Sequence, residues 1–201
     1  MTAAELVPDG GWIGPSSERL APARGDGGWL WRALARPFRR KELPRVIALL
    51  RLHPRLFWGW LHFASRLMPY GRLDPTLREM IILRTAWNCR SRYEWGQHVE
   101  IGLSVGLTAD ALARIAAGPE ACGDVEERLL LIACDEIFDS GCLTNGTFEA
   151  ITARHDQREL IEIIFLVGHY QMLAGLLKTT GLALDAPIEK LLEDLPWPTP
   201  A

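Results

Sequence analysis

Residues 79–98, EMIILRTAWNCRSRYEWGQH, decide the fold and carry the most chemistry in this chain. At about 100° per residue, Ser91, Glu94 and His98 fall within roughly a 60° arc of one helix face, and Trp95 stands beside them. A hydroxyl, a carboxylate, an imidazole and an aromatic ring therefore share one stripe of a predicted helix.

Two interpretations of Glu94 and His98 are open. Glu and His are the commonest proton-transfer groups, and burial beside apolar residues can move both pKa values toward neutrality, which favours an acid/base site. A Glu and a His four residues apart on a helix also form local hydrogen bonds or ion pairs that have little functional consequence.

The flanking segments predict a series of helices. Asp74 and Pro75 supply an N-cap and a first-turn proline for a helix that runs to about Asn88. A second helix is predicted from about Ser91 to residue 105, where Gly106 can take the left-handed C-cap conformation. Further helices are predicted over residues 108–117, 125–139, 145–155, 157–180 and 186–195. Since no alternating strand pattern occurs, the predicted fold is all-α and built from antiparallel helix pairs.

The remaining segments divide the chain further. Residues 1–27 are rich in Pro and Gly and predict an irregular N-terminal arm whose Trp12 docks on the body or on a neighbouring subunit. Residues 28–72 predict a helical extension, with short helices over 29–34, 43–52 and 55–68. Residues 73–182 are predicted to form the main domain, and residues 183–201 to supply a C-terminal helix and tail.

Composition limits the classes of function. Hydrophobic residues make up 48% of the 201 positions, which is enough for a core, and the formal net charge of -3 gives no electrostatic footprint for nucleic acid. The short basic cluster of Arg36, Arg39, Arg40 and Lys41 is interpreted as a solvated helix end, with binding to an anionic surface as the lesser alternative.

The chain is expected to be cytoplasmic and outside the membrane. The first residues show no signal-peptide pattern, and no uncharged apolar run reaches the length of a membrane-spanning helix. The cysteines at positions 89, 122, 134 and 142 have no C-x-x-C or zinc spacing, so most are predicted to be reduced and packed as small hydrophobes.

At residues 79–98 the sequence resembles the carboxymuconolactone decarboxylase family, which also contains the AhpD-type alkylhydroperoxidases. Glu79 matches the family's glutamate and His98 its histidine, whereas Ser91 and Glu94 occupy the two positions of the peroxidase branch's cysteine pair. The resemblance extends over about residues 73–182. The sequence around Tyr93-Glu94-Trp95 is similar to that of the decarboxylase-like branch. It implies an AhpD-like helical bundle.

The missing cysteine pair argues against disulfide-based peroxide reduction, because that chemistry needs an attacking thiolate and a resolving thiol within reach. Cys89 is the only thiol nearby, and a one-cysteine redox role remains an alternative to simple packing. The resemblance instead implies decarboxylation of a small carboxylated or lactone-type substrate without a metal or organic cofactor. In that scheme His98 donates a proton or stabilises an oxyanion, Glu94 orients His98 or relays the proton, and Glu79 is an outer carboxylate or alternative base.

Several further residues are candidates for substrate binding, each with a structural alternative. Arg84 can bind a carboxylate or form an ion pair, and Ser91 can bind substrate or cap a helix. Trp95 can line a pocket or fill the core. His169, in a nearly all-apolar helix, can approach His98 or be a core histidine satisfied by a hydrogen bond. Cys89 is the last candidate for substrate binding, with packing as its structural alternative.

The resemblance also implies a homo-oligomer, as a trimer, hexamer or dimer, that binds a small molecule and neither nucleic acid nor membrane. Two other functions stay open: an AhpD-like antioxidant protein without the usual cysteines, and a noncatalytic helical oligomer that binds a ligand. The discriminating feature is the pocket. An enzyme is expected to open Glu94 and His98 into one cavity, whereas a fully packed interior favours the noncatalytic alternative.

Overall fold

The computed structural model describes residues 6–23 and 44–198, which contain α-helices, one 3-10 turn and no strand. The predicted all-α fold is confirmed. The predictions for the helix near residues 29–34 and for the basic cluster at residues 36–41 lie outside the described residues. The helices are α1 (Arg45–Leu50), α2 (Pro54–Leu67), α3 (Pro75–Asn88), α4 (Arg92–Val105), α5 (Ala109–Ala117), α6 (Val125–Ser140), α7 (Asn145–Thr152), α8 (Gln157–Thr180) and α9 (Ala186–Asp194).

Local signals set the ends of the helices that carry the site. The Asp74 side chain accepts a hydrogen bond from the Thr76 amide at 2.8 Å, and Pro75 opens α3. Gly106 ends α4 with φ of 112°, a conformation that a side chain would oppose. Most predicted bounds agree within one or two residues. One differs more: α7 ends at Thr152 rather than at residue 155.

Helix α3 forms the centre of the molecule and packs against α4, α6 and α8. The four consecutive side chains from Met80 to Leu83 are all 1% exposed or less, so apolar neighbours surround this helix on every side. Ile81 and Ile82 join a core shared with α6 and α8, whereas Met80 and Leu83 join a second core shared with α5 and α9. The polar side chains in the middle of α3, Arg78, Glu79 and Thr85, are buried with them.

Helix α8 is long and apolar enough, by length and composition alone, to cross a membrane, but 56% of its most apolar window is buried inside this structure. It packs against α2, α3, α4, α6 and α7. The core helix of a globular bundle meets the same criterion, and α8 has that position here.

The N-terminal arm lies across the start of α4 and the end of α8. The Ile13 amide donates to the Arg90 carbonyl at 3.0 Å, and the Arg19 amide donates to the Thr180 carbonyl at 2.7 Å. The Trp12 ring meets the Trp87 ring edge-on, with centroids 5.5 Å apart. Of the two predicted places for Trp12, the structure gives the body of the same chain.

Candidate active site

His98 and Glu79 meet inside the bundle. Helices α3 and α4 are joined by a three-residue connection, so they run antiparallel and place these two residues at the same level. The His98 Nδ1 lies 2.7 Å from Glu79 Oε2, and Arg78 Nε lies 3.3 Å from the other carboxylate oxygen. Glu79 is fully buried and His98 is nearly so. Glu79 therefore fixes the orientation of the imidazole.

This contact corrects one expectation. The sequence offered Glu94 as the group that orients His98 or relays the proton, and Glu79 as an outer carboxylate or an alternative base. In the structure Glu79 makes the hydrogen bond, because the helix hairpin brings it closer than the i, i+4 neighbour on the same helix. His98 Nε2 has no hydrogen-bond partner among the described residues, so it is the ring nitrogen available for chemistry.

Tyr170 completes the surroundings of His98 from α8. The two rings meet edge-on with centroids 4.9 Å apart. Burial, together with the nearby carboxylates of Glu79 and Glu94, raises the pKa of Tyr170 well above its ordinary value, so the phenol stays protonated. The sequence analysis missed Tyr170. The available signal was its place beside His169 in a nearly all-apolar helix.

Glu94 is 3% exposed, and neither carboxyl oxygen has a hydrogen-bond partner among the described residues. Desolvation raises its pKa well above the ordinary value of 4.5, while the Ser91 side chain and the positive charge of Lys178 act in the opposite direction. Desolvation has the larger effect, because removing the carboxylate from water costs more free energy than Ser91 and Lys178 contribute by stabilising its charged form. The favoured form is a neutral carboxylic acid that can donate a proton.

Ser91, Cys89 and Lys178 surround Glu94 at the start of α4. Ser91 holds the N-cap position, yet its hydroxyl makes no capping bond and has no partner among the described residues. Lys178, from the last turn of α8, donates through Nζ to the Cys89 carbonyl at 2.7 Å. Sequence reasoning did not propose Lys178. A cation at the end of an otherwise apolar stretch was its only signal.

The Cys89 thiol has the opposite properties from a reactive cysteine. It is buried, and desolvation and the nearby charge of Glu94 raise its pKa to about 11, against the effect of Lys178. Redox cysteines are activated by a lowered pKa and by access to the reactant. The surroundings of Cys89 therefore favour packing over redox chemistry.

His169 lies close to this group, as one of its two interpretations proposed. Its ring stacks on Trp60 with centroids 6.1 Å apart and meets Tyr170 edge-on at 5.1 Å. Burial and the proximity of His98 lower its pKa to about 4, so the imidazole is neutral near pH 7. Its Nδ1 has no hydrogen-bond partner among the described residues, contrary to the expected satisfied core histidine.

Arg84 is engaged elsewhere. Its guanidinium forms a bidentate pair with Asp135 at 2.7 and 2.8 Å, and Nη1 donates to the Ile115 and Ala116 carbonyls at the end of α5. Of the two roles the sequence allowed, the ion pair is the one present, although it joins α3 to α6 rather than residues of one helix. We therefore leave Arg84 out of the site.

Trp95 fills the core rather than facing Glu94. It is fully buried, and its ring lies 4.9 Å from Trp87 and 6.3 Å from Trp12 between ring centroids. Adjacent residues on a helix point about 100° apart, which explains how Glu94 and Trp95 face different layers. The Trp95 ring, proposed as a pocket wall, packs against Trp12 of the N-terminal arm instead.

Neither of two cavities formed by the described residues is lined by Glu94 or His98. One of about 640 Å³ lies between α5 and the arm near Val7. The other, of about 390 Å³, lies beneath the arm and is lined by Ser91 and Lys178. The expected single cavity shared by Glu94 and His98 is therefore absent from these two spaces. The nearer cavity reaches the neighbours of Glu94 but not Glu94 itself.

Solved structures with the same architecture define the class as AhpD-like all-α proteins. An uncharacterized peroxidase-related protein from Silicibacter sp. TM1040 superposes with a TM-score of 0.73 at 14% identity, over 87% of this chain and 95% of that one. A second, from Ralstonia eutropha JMP134, gives 0.71 at 17% identity over 82% and 88%. The debrominase Bmp8 gives 0.72 at 12% identity over 89% and 98%. At these identities the likeness establishes the fold alone.

Residues 54–133 match the model of the Carboxymuconolactone decarboxylase family. The match includes Glu79, Ser91, Glu94 and His98, so the resemblance predicted from the sequence is confirmed. It also includes α2, which lies in the predicted N-terminal extension. No curated protein matches the chain by sequence.

Proposed function

We propose that the protein is a carboxymuconolactone decarboxylase-like enzyme that acts on a small carboxylated or lactone-type substrate by acid/base chemistry without a cofactor. One observation carries the proposal: a buried Glu94 whose oxygens have no partner lies near a histidine that a second carboxylate orients. Burying unpartnered polar groups is costly, and natural proteins retain such groups chiefly where they serve a function.

The proposed reaction divides between the two groups. The bond between the substrate's carboxylate carbon and the adjacent carbon breaks, carbon dioxide leaves, and the electron pair moves into a conjugated carbonyl. Glu94 supplies the proton that the product needs, since its raised pKa favours the protonated acid. In its imidazolium form, with Nδ1–H donated to the Glu79 carboxylate, His98 stabilises the developing oxyanion by donating Nε2–H.

The test is carbon dioxide release from a panel of carboxylated lactones. The native protein is expected to turn over at least one member. Glu94→Gln and His98→Ala are each expected to reduce the rate by 10² or more, a typical contribution of a general acid. Matched controls are Glu193→Gln and His62→Ala, which change exposed side chains of the same two types. Circular dichroism and assembly state confirm that each variant folds.

The opposite result favours the noncatalytic alternative. The structural observation on its side is that neither Glu94 nor His98 lines either cavity in a single chain. Absence of turnover on every panel member, or equal rates in the native protein and both site variants, would reject the acid/base proposal. The antioxidant alternative gains little support from Cys89, because its raised pKa disfavours the thiolate.

We also propose that the protein is a homo-oligomer assembled through α8. Every exposed residue of this helix between positions 161 and 175 is uncharged. Three large apolar members, Ile161, Phe165 and Met172, are 50 to 58% exposed. Phe63 of α2 extends this surface, with its ring centroid 5.8 Å from that of Phe165. A second copy brings the same apolar stripe, and a self-complementary surface of this kind favours a closed symmetric assembly.

A further inference from the structure

The arm closes one side of the 390 Å³ cavity. Residues from Trp12 to Glu18 form its outer wall, and the start of α4 together with the end of α8 form its inner wall. The arm is fastened at both ends of this span, by the Ile13 amide to Arg90 and by the Arg19 amide to Thr180. Glu18 adds a hydrogen bond from the Ala183 amide at 2.9 Å and an ion pair with Arg45. The cavity is therefore a built feature of the fold.

The charges around this cavity leave one cation without a counterion. Glu189 lines the cavity but forms a bidentate pair with Arg92 at 2.7 Å through both of its oxygens. Glu18 also lines it and pairs with Arg45. Lys178 forms no ion pair with any carboxylate among the described residues, and its hydrogen bond to the Cys89 carbonyl uses one of three N–H donors. Lys178 is therefore the charged lining residue that has no ion-pair partner among the described residues.

Ser91 and the N-terminus of α4 also favour an anion in this cavity. Ser91 lines the cavity, is 1% exposed, and has a hydroxyl without a hydrogen-bond partner among the described residues. It stands at the N-terminus of α4, a helix of 14 residues whose dipole places partial positive charge at this end. An ammonium, an unsatisfied hydroxyl and a helix N-terminus converge on one space, and an anion satisfies all three.

The remaining lining limits the size and character of the anion. Apolar side chains from the arm and from the end of α8 make up much of the wall, namely Trp12, Ile13, Pro15, Leu177, Leu182 and Leu184. A volume of about 390 Å³ accommodates a molecule of the size of an aromatic or alicyclic monocarboxylate. Its carboxylate then faces Lys178 while its hydrocarbon body lies under the arm.

We propose that the cavity beneath the arm binds a small apolar carboxylate, with Lys178 as the residue that holds the carboxylate and residues 12–18 as the wall that covers the ligand. The inference rests on the proposed function for the idea of a carboxylated substrate, and it assigns to Lys178 the role that the sequence gave to Arg84. Glu94 interacts with two of the lining residues, Ser91 and Lys178, and in its neutral form it does not repel a bound anion.

Calorimetric titration with benzoate, cyclohexanecarboxylate and phenylacetate tests the inference, with benzamide as the uncharged counterpart of benzoate. At least one carboxylate is expected to bind saturably, and benzamide to bind about tenfold more weakly or worse. Lys178→Gln retains a donor for the Cys89 carbonyl but loses the charge, so its Kd is expected to rise about tenfold. Lys178→Arg is expected to restore binding, and Lys190→Gln, at an exposed position, to leave it unchanged.

Hydrogen exchange tests the covering wall separately. A bound carboxylate is expected to slow exchange of the Ile13 and Arg19 amides, which fasten the arm, and to leave the Phe148 amide in distant α7 unaffected. Failure of all three carboxylates to bind, equal affinity for benzamide, or an unchanged Kd in Lys178→Gln would overturn the inference. Unchanged exchange of the arm amides in the presence of bound ligand would show that the arm does not cover the ligand.

The inference and the proposed function fail in different ways. Lys178-dependent binding without carbon dioxide release from any lactone supports the carboxylate site and rejects the reaction. Turnover that depends on Glu94 and His98 but is unaffected in Lys178→Gln supports the reaction and rejects this cavity as its binding site.

Discussion

The His98 ring nitrogen Nδ1 lies 2.7 Å from the Glu79 carboxylate, although the two residues are 19 positions apart in the sequence. The α3–α4 hairpin creates this contact, and burial excludes water from it. Arg78 shares the same carboxylate at 3.3 Å, so one fully buried charge holds two partners. A group with this many buried partners is expected to contribute to stability.

Glu79→Gln is expected to lower the free energy of unfolding by about 3 to 5 kcal/mol, because it leaves the buried Arg78 charge without its counterion. Urea denaturation followed by circular dichroism measures the loss. Glu149→Gln, at an exposed position on α7, is the control and is expected to change stability by less than about 0.5 kcal/mol. Equal stabilities of the two variants would show that Glu79 is not the counterion of Arg78.

Glu94→Gln is expected to change the pH dependence of stability. The pKa of Glu94 is raised in the folded protein, so its stabilising effect is complete below pH 4.5 and is lost as pH rises toward the folded pKa. The slope of this loss is at most about 1.4 kcal/mol per pH unit. The amide does not titrate, so the variant is expected to match the native protein near pH 4.5 and to exceed it in stability at pH 7.

Urea denaturation at several pH values between 4.5 and 8 measures this difference, with Glu193→Gln as a surface control. Parallel pH profiles for the native protein and Glu94→Gln would contradict the raised pKa. They would also remove the neutral acid from the proposed mechanism.

His169 is expected to stay neutral down to about pH 5, because burial and the proximity of His98 lower its pKa to about 4. A lowered histidine pKa stabilises the folded state above the unfolded value near 6.5, and this stability is lost as pH falls toward 4. Two-dimensional NMR titration of the imidazole resonances measures the pKa directly. A His169 ring that titrates near its ordinary value of 6.5 would contradict the prediction.

Arg84 is expected to act on stability and not on ligand binding. Arg84→Met removes a bidentate pair with the partly buried Asp135, for which we expect a loss of about 2 to 3 kcal/mol. A double-mutant cycle with Asp135→Leu is expected to give a coupling energy of about 2 kcal/mol from urea denaturation. A folded Arg84→Met variant of native stability that has lost benzoate affinity would restore the substrate-binding role.

Much of the fold was predictable because its signals are local. Asp74 and Gly106 mark helix ends through their own backbone and side-chain chemistry, and the structure agrees with both. The site was only partly predictable because its partners come from distant segments. Spacing placed Glu94 and His98 on one helix, but the choice of Glu79 as the partner of His98 depends on the hairpin's register.

The position of Lys178 in the site was also not predictable from the sequence. It stands 84 positions after Glu94 and reaches the site only because α8 ends against the start of α4. A lone cation in the last turn of a helix is explained equally well by the helix dipole, so sequence alone gives no reason to select it. Contacts across the bundle, rather than motifs, assigned its role.

Phe165→Glu is expected to convert the proposed oligomer into monomers, because it places a charge in the uncharged exposed stripe of α8, where assembly would bury it without a partner. Sedimentation velocity measures the mass of each form. Phe148→Glu is the matched control, since Phe148 on α7 is 48% exposed and Phe165 is 50% exposed. Only the α8 substitution is expected to dissociate the assembly. Equal effects of both substitutions, or a native protein that sediments as a monomer, would reject α8 as the interface. Because Tyr170 lies on the same helix and contacts His98, a monomer that keeps its fold would also show whether assembly is needed to hold the His98 ring in place.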